Sequence, residues 1–141
     1  MAIDVFETDL ATRQVRRLRG RRRDAYEKFL DHLRARGCEA LQYRLFGEGI
    51  LERVCARHLF SNDRVLATFN DEGDAWVLLV GPHDESAQDV YNALYQLAGV
   101  NPPDITERTK PPCCDEMTAE SPEVTDEEIS ALITRIGRQA R

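Results

Sequence analysis

The chain has 141 residues, 42% hydrophobic and 31% charged, enough for one domain with its own core and too few for two comfortable ones. Its longest apolar run, Ala75–Val80, has six residues against the roughly 18 that a membrane span needs. MAIDVFETDL also lacks the basic-then-apolar layout of a secretory signal, so no membrane is expected and the expected location is cytoplasmic.

The net charge of −6 is uneven: residues 1–37 carry +4, residues 38–100 carry −6 and residues 101–141 carry −4. A basic front on an acidic body suggests one surface for an anionic partner rather than general nucleic-acid affinity.

Ile3, Val5 and Glu7 alternate with Asp4 and Phe6, which predicts a short edge strand over Ile3–Glu7. Thr8 or Asp9 can cap a helix running to about Leu18, with Val15 and Leu18 inward. Gly20 breaks it. From Asp24, Tyr26, Phe29, Leu30 and Leu33 fall at i, i+3, i+4 and i+7, predicting a second helix that stops at Gly37. Together they make an αα-hairpin with a tight basic turn. Arg16, Arg17, Arg19, Arg21, Arg22 and Arg23 put six arginines in eight positions around that turn. They read either as a phosphate-gripping surface or as a solvated turn partly neutralised by Asp24, Glu27 and the acids of the tail.

After Gly37 come Ala40-Leu41, Tyr43 and Leu45-Phe46, then a turn at Gly47-Glu-Gly49. Ile50–Phe60 reads as a strand, Ser61-Asn62-Asp63 as a turn, Arg64–Phe69 as a second strand, Asn70–Asp74 as a turn and Ala75–Val80 as a third strand. Strands rich in Val, Leu, Phe and Trp between such turns predict an antiparallel three-strand meander. Gly81-Pro82 is expected to end the sheet, because proline has no N–H to donate. Ser86, with Asp89 three residues on, is the expected cap of a helix whose buried stripe is Val90, Leu94 and Leu97 and which ends at Gly99.

Residues 101–122 hold five of the six prolines and show no periodicity, as a linker does. Thr125-Asp-Glu-Glu128 is a capping box for an amphipathic helix with Ile129, Leu132, Ile133 and Ile136 on one face. The order β-α-α-β-β-β-α, then linker and tail helix, is α+β. It divides into a domain over 1–100, a linker over 101–122 and a tail helix within 123–141.

Cys38 and Cys55 stand alone in regular-looking segments, and no CxxC or Cys/His pair has zinc spacing, so no structural zinc site is expected. The adjacent Cys113-Cys114 reads as an exposed reduced dipeptide, or as a soft-metal or redox pair.

The order and lengths of these elements resemble the RelE/ParE toxin superfamily of bacterial type II toxin–antitoxin systems over about residues 1–99. The strongest local match is ERVCARHLFSNDRVLATFNDEGDAWVLLVGPHDESAQDVY. There an arginine-bearing strand, a turn and a DRVL strand lead through an acidic turn to a VLLVG strand, a polar loop and a helix containing Val-Tyr. Members resembling RelE cleave messenger RNA in the ribosomal decoding site without a metal. Those resembling ParE share the fold, lack the nuclease residues and inhibit DNA gyrase, so fold alone does not choose between them.

The resemblance implies a toxin of RelE-like fold, an endoribonuclease with no cofactor and no metal. Its implied partners are a cognate antitoxin, the ribosome and messenger RNA. The alternative is a non-catalytic protein of the same fold that acts by binding, as a gyrase inhibitor or a regulatory partner.

By position, the arginine that opens the family's third strand falls on Arg64. The basic residue of the loop after the last strand falls near His83, and the tyrosine of the final helix falls on Tyr91. RNA cleavage by its own 2′-hydroxyl needs a base for that proton, an acid for the leaving 5′-oxygen and positive charge on the phosphoryl oxygens. Arg64 suits the last role, since guanidinium stays charged and grips phosphate with parallel bonds. His83 suits acid or base work near neutral pH, and Tyr91 suits stacking on an unpaired base or relaying a proton.

Each residue also has a plainer reading. Arg64 is then a strand-end arginine, His83 a solvent-facing loop histidine, and Tyr91 with Tyr95 padding between helix and sheet. His58 reads as structural. Arg53 and Arg57 share one face of their strand and are candidate phosphate contacts in place of the lysines that RelE-like nucleases carry there. The chain has two lysines, Lys28 and Lys110, neither in the sheet region.

In the superfamily the antitoxin typically lays an amphipathic helix across the toxin, and EVTDEEISALITRI has that character within the same chain. It is expected to dock on the body, to dock on a second copy in a homo-oligomer, or simply to close the body's own core.

Overall fold

The computed structural model describes residues 3–45, 51, 53–70, 72–84, 86, 89–100 and 126–139. The first strand, β1 (Val5–Glu7), leads into α1 (Asp9–Arg16). Thr8 caps α1 by accepting from the Ala11 N–H at 3.1 Å, and its hydroxyl donates to the Leu78 carbonyl at 2.7 Å. One side chain thus satisfies an orphan helix donor and fixes the helix start to the sheet.

The second helix, α2, spans Gly20–Arg36, starting four residues before the expected Asp24. Gly20, at a φ of +57°, serves as the first helical residue after the turn rather than as a breaker. Arg21, Arg22 and Arg23 therefore sit in the first turn of a helix instead of in a loop. Such a turn gains nothing from cations near its unsatisfied N–H groups; Arg22 and Arg23 have other partners, described below.

A 3₁₀ turn over Gly37–Ala40 leads to β2 (Tyr43–Arg44), β3 (Cys55–His58), β4 (Asp63–Phe69) and β5 (Ala75–Pro82). The sheet order is β1-β5-β4-β3-β2, with β1 parallel to β5 and the other pairings antiparallel. The expected meander is β3, β4 and β5, and the described sheet has two further strands at its edges. The expected strand over Ile50–Phe60 is shorter: Leu51 and Arg53 lie in a helical turn, and pairing is confined to Cys55–His58. The Gly47-Glu-Gly49 turn lies outside the described residues.

Pro82 does not stop β5 early. Gly81 pairs with Arg64 and Pro82 with Asp63, because a proline at the last position of a strand forfeits only one donor.

Alternation along the strands makes two apolar layers. On one face Val65, Ala67, Val77 and Val80 pack under Ala11 and Val15 of α1 and Tyr26, Phe29 and Leu33 of α2. On the other, Ala56, Leu66, Leu78 and Leu79 meet Val90 and Leu94 of α3 (Val90–Ala98), and Leu132 and Ile136 of α4 (Asp126–Gln139). Two consecutive leucines share that layer because the β4–β5 register skips Leu78 between Leu66 and Ala67, as at a bulge.

The tail helix α4 packs on α1, α3 and β5 and buries Ile129, Leu132 and Ile136. At about 1.5–3 kcal/mol per buried aliphatic side chain, it is part of the core of the body. Thr125 and the Pro-rich segment, with Cys113-Cys114, lie outside the described residues. Cys38 and Cys55 are each disulfide-bonded instead of lone thiols, a state that sequence spacing alone does not encode.

Candidate active site at one end of the sheet

The loop after β5 folds around a single carboxylate. Asp89, rather than the expected Ser86, is the N-cap of α3: its Oδ1 accepts from the N–H groups of Tyr91 at 2.9 Å and Asn92 at 3.2 Å. Ser86 instead donates to Asp84. Both residue types cap helices well, and the choice is made by tertiary structure, because the Asp89 side chain is buried and has a second set of partners. Its Oδ2 accepts from the Asp84 N–H at 3.0 Å and lies 2.8 Å from His83 Nδ1. Burial pushes this carboxyl upward, but the bonds from His83 and from the Asn92 and Asp84 backbones outweigh it and leave its pKa below the ordinary value.

His83 is about half exposed. Its ring meets the Tyr91 ring edge-on, with centroids 4.7 Å apart and planes at 81°. Tyr91 in turn shares a 2.7 Å hydrogen bond with the hydroxyl of Tyr43 on β2. Burial, then the bond to Tyr43, pushes the Tyr91 phenol well above the usual tyrosine range, while the nearby Arg64 guanidinium acts in the opposite sense. Tyr95, one turn on, is also pushed upward by burial and then by the charge of Asp89.

Arg64, the second residue of β4, lies opposite His58 on one side and Gly81 on the other. It therefore stands at the same end of the sheet as the His83 loop. Strand alternation puts it on the face of Leu66, the layer that carries α3.

Arg64, His83 and Tyr91, three separate sequence candidates, are thus brought together. Asp89 and Tyr43 complete the cluster and were not singled out as site residues. An aspartate a few residues past a loop histidine was the available signal for Asp89; Tyr43 gave none.

The candidate phosphate contacts fare differently. Arg57 alternates to the opposite face, with Cys55 and Val65, and donates to the Ala40 carbonyl at 2.8 Å. Arg53 lies outside β3 and reaches the Phe69 carbonyl at 3.4 Å. Arg22 donates through Nε and Nη2, one edge of its guanidinium, to the two carboxylate oxygens of Asp63 at 2.7 Å, and Arg23 donates to Glu27 at 2.9 Å and to the Val15 carbonyl at 3.0 Å. Arg16, Arg17 and Arg21 are exposed. His58, bonded through its ring to the Ser61 carbonyl, closes the β3–β4 turn, as its structural reading has it.

Among the described residues there is no group of three or more His, Cys, Asp or Glu side chains that could hold a metal ion, and no helix long and apolar enough to cross a membrane.

An α+β sheet carrying a histidine–carboxylate pair, a tyrosine pair and an arginine at one end defines the class of site. No family model and no curated protein matches the chain. Among solved structures it is similar to a free-state double mutant of the toxin RelE from E. coli, with a TM-score of 0.48 and 22% identity over 61% of this chain and 88% of that one. It is also similar to the RelBE2 toxin–antitoxin complex of Mycobacterium tuberculosis, with a TM-score of 0.45 and 23% identity over 58% of this chain and 92% of that one. At these identities the likeness concerns the fold alone.

Proposed function

We propose that the protein is the toxin of a type II toxin–antitoxin pair, a RelE-like endoribonuclease that cuts messenger RNA on the ribosome and is held in check by an antitoxin protein. The observation that supports this reading is the convergence of Arg64, His83 and Tyr91 at one end of the sheet. In the reaction a base removes the 2′-hydroxyl proton and the 2′-oxygen attacks the adjacent phosphorus. The bond to the 5′-oxygen then breaks, and that oxygen takes a proton. The products are a 2′,3′-cyclic phosphate and a 5′-hydroxyl. Arg64 stabilises the phosphoryl oxygens as their charge grows, His83 moves a proton, and the Tyr91 phenol, held neutral by its burial, positions the nucleotide or donates a hydrogen bond.

A second reading is favoured by the diversion of Arg57 to the far face and of Arg22 to Asp63. With those two guanidiniums engaged elsewhere, a protein of this fold can act by binding alone, on gyrase or as a regulatory partner. Expression followed by primer extension on messenger RNA separates the two. Codon-phased cuts that vanish in Arg64→Ala and His83→Ala support the nuclease. DNA-damage signalling without cuts supports the gyrase target, and growth effects with neither support another binding role.

A further inference from the structure

We infer that Asp89 is a positioning residue that fixes the proton-transfer atom of His83, holding the imidazole with its proton on Nδ1 and Nε2 turned outward. The inference rests on the nuclease reading of the site and goes beyond it by naming the atom and the residue that selects it.

The geometry leaves little choice. Asp89 has two carboxylate oxygens, each already receiving backbone N–H groups: Oδ1 from Tyr91 and Asn92, Oδ2 from Asp84. Its side chain is 4% exposed, so it cannot swing toward solvent, and as a carboxylate it offers only acceptors. A ring nitrogen 2.8 Å from Oδ2 must therefore be the one that carries hydrogen. That assignment leaves Nε2 with a lone pair in the neutral ring. No hydrogen bond among the described residues engages it, and the ring is about half exposed.

The ring is also held against the Tyr91 ring at 81°, and Tyr91 belongs to the helix that the same carboxylate caps. One buried aspartate thus sets the tautomer of His83 and locks its orientation to Tyr91. Exchange of such a carboxylate for an amide can leave a site's geometry intact while placing the proton on the wrong nitrogen.

Asp89→Asn is the informative change. Asparagine caps helices as well as aspartate does, so α3 keeps its start. An amide nitrogen in place of Oδ2 faces two donors, the Asp84 N–H, which loses its acceptor, and Nδ1–H, and His83 relieves its own conflict by moving its proton to Nε2. Asp89→Ser is the companion: it keeps the cap and removes the orienting carboxylate.

The full-length protein, labelled with ¹⁵N-histidine, would be read by long-range ¹H–¹⁵N correlation for the His83 tautomer at alkaline pH. Cleavage of a defined messenger on programmed 70S ribosomes would be measured in parallel, and helix content would verify folding. The expected result is Nδ1–H in the wild type, Nε2–H in Asp89→Asn, and a fall in kcat of about 100-fold or more with KM changed less than about threefold. Asp89→Ser should give mixed tautomers and a smaller loss. A wild-type ring protonated on Nε2 overturns the inference, as does an Asp89→Asn protein that flips its tautomer yet cleaves at the wild-type rate. Absence of cleavage in the wild type, with the tautomers as expected, instead overturns the nuclease reading and with it the positioning role given to Asp89 in that reaction.

Discussion

Arg22, in the first turn of α2, and Asp63, at the head of β4, are joined by two hydrogen bonds of 2.7 Å, with the Asp63 side chain 3% exposed. This bidentate pair ties the helical hairpin to the strand that carries Arg64, and it diverts an arginine that the sequence offers as a phosphate contact. Arg22→Ala leaves a buried carboxylate without that partner. Because Arg22 itself is about half exposed, the loss should be about 2 kcal/mol, below that of a fully buried pair. Arg21→Ala, at an exposed position in the same turn, should change stability by less than about 0.5 kcal/mol. Urea denaturation of both variants checks this; equal effects would contradict it.

Acid should weaken the fold through Asp89. Its folded-state pKa is depressed, so the unfolded chain binds a proton more readily than the folded one. Its contribution to stability is present above the unfolded carboxylate value, about 4, and is lost as pH falls through the folded value. Wild-type urea midpoints should fall below about pH 4, and Asp89→Asn should show a shallower decline over the same interval. A decline of equal steepness in both would speak against this role.

Alkali should weaken it through the phenols. Tyr91 is raised first by burial and then by its bond to Tyr43, Tyr26 by burial and then by its bond to Glu7, and Tyr95 by burial. A raised phenol contributes stability that is fully present below the unfolded tyrosine value, about 10, and is lost as pH rises beyond it, because the unfolded chain ionises first. Spectrophotometric titration should show tyrosines that ionise only on unfolding, and Tyr91→Phe should remove one of them. Four tyrosines titrating normally in the folded protein would contradict this account.

The tail helix should behave as core. Ile129 and Ile136 are fully buried, so replacement of either by alanine should cost about 2–5 kcal/mol. Glu127→Ala, on the exposed side of the same helix, should cost less than about 0.5 kcal/mol. Thermal or urea unfolding decides; near-neutral isoleucine variants would mean that α4 leaves the body in solution.

Much of this arrangement was legible in the chain itself, and the failures have local causes. The meander strands and the helical stripes of α2, α3 and α4 were readable because burial on one face imposes a period on the sequence. The start of α2 was missed because a glycine at positive φ followed by three arginines looks like a turn; the pairing of Arg22 with Asp63, far along the chain, stabilises what local preference does not. Ser86 and Asp89 are equivalent caps by residue type, and only the position of His83 distinguishes them. Arg64, His83 and Tyr91 could be nominated one by one, whereas Tyr43 sits in a two-residue strand with no pattern of its own. Its bond to Tyr91 exists only once the sheet has formed. The face that Arg57 takes was not readable, because alternation shows which residues share a face without showing which face bears the site.

The most direct test of the central claim is the chemistry of the cut ends. Purified protein should be incubated with ribosome-bound messenger in excess EDTA at low magnesium, on ribosomes cross-linked to keep them intact, and the fragments analysed at both termini. The account predicts 2′,3′-cyclic or 3′-phosphate ends paired with 5′-hydroxyls, and their loss in Arg64→Ala and His83→Ala. Uncut messenger, or cuts bearing 3′-hydroxyls and 5′-phosphates, would contradict it.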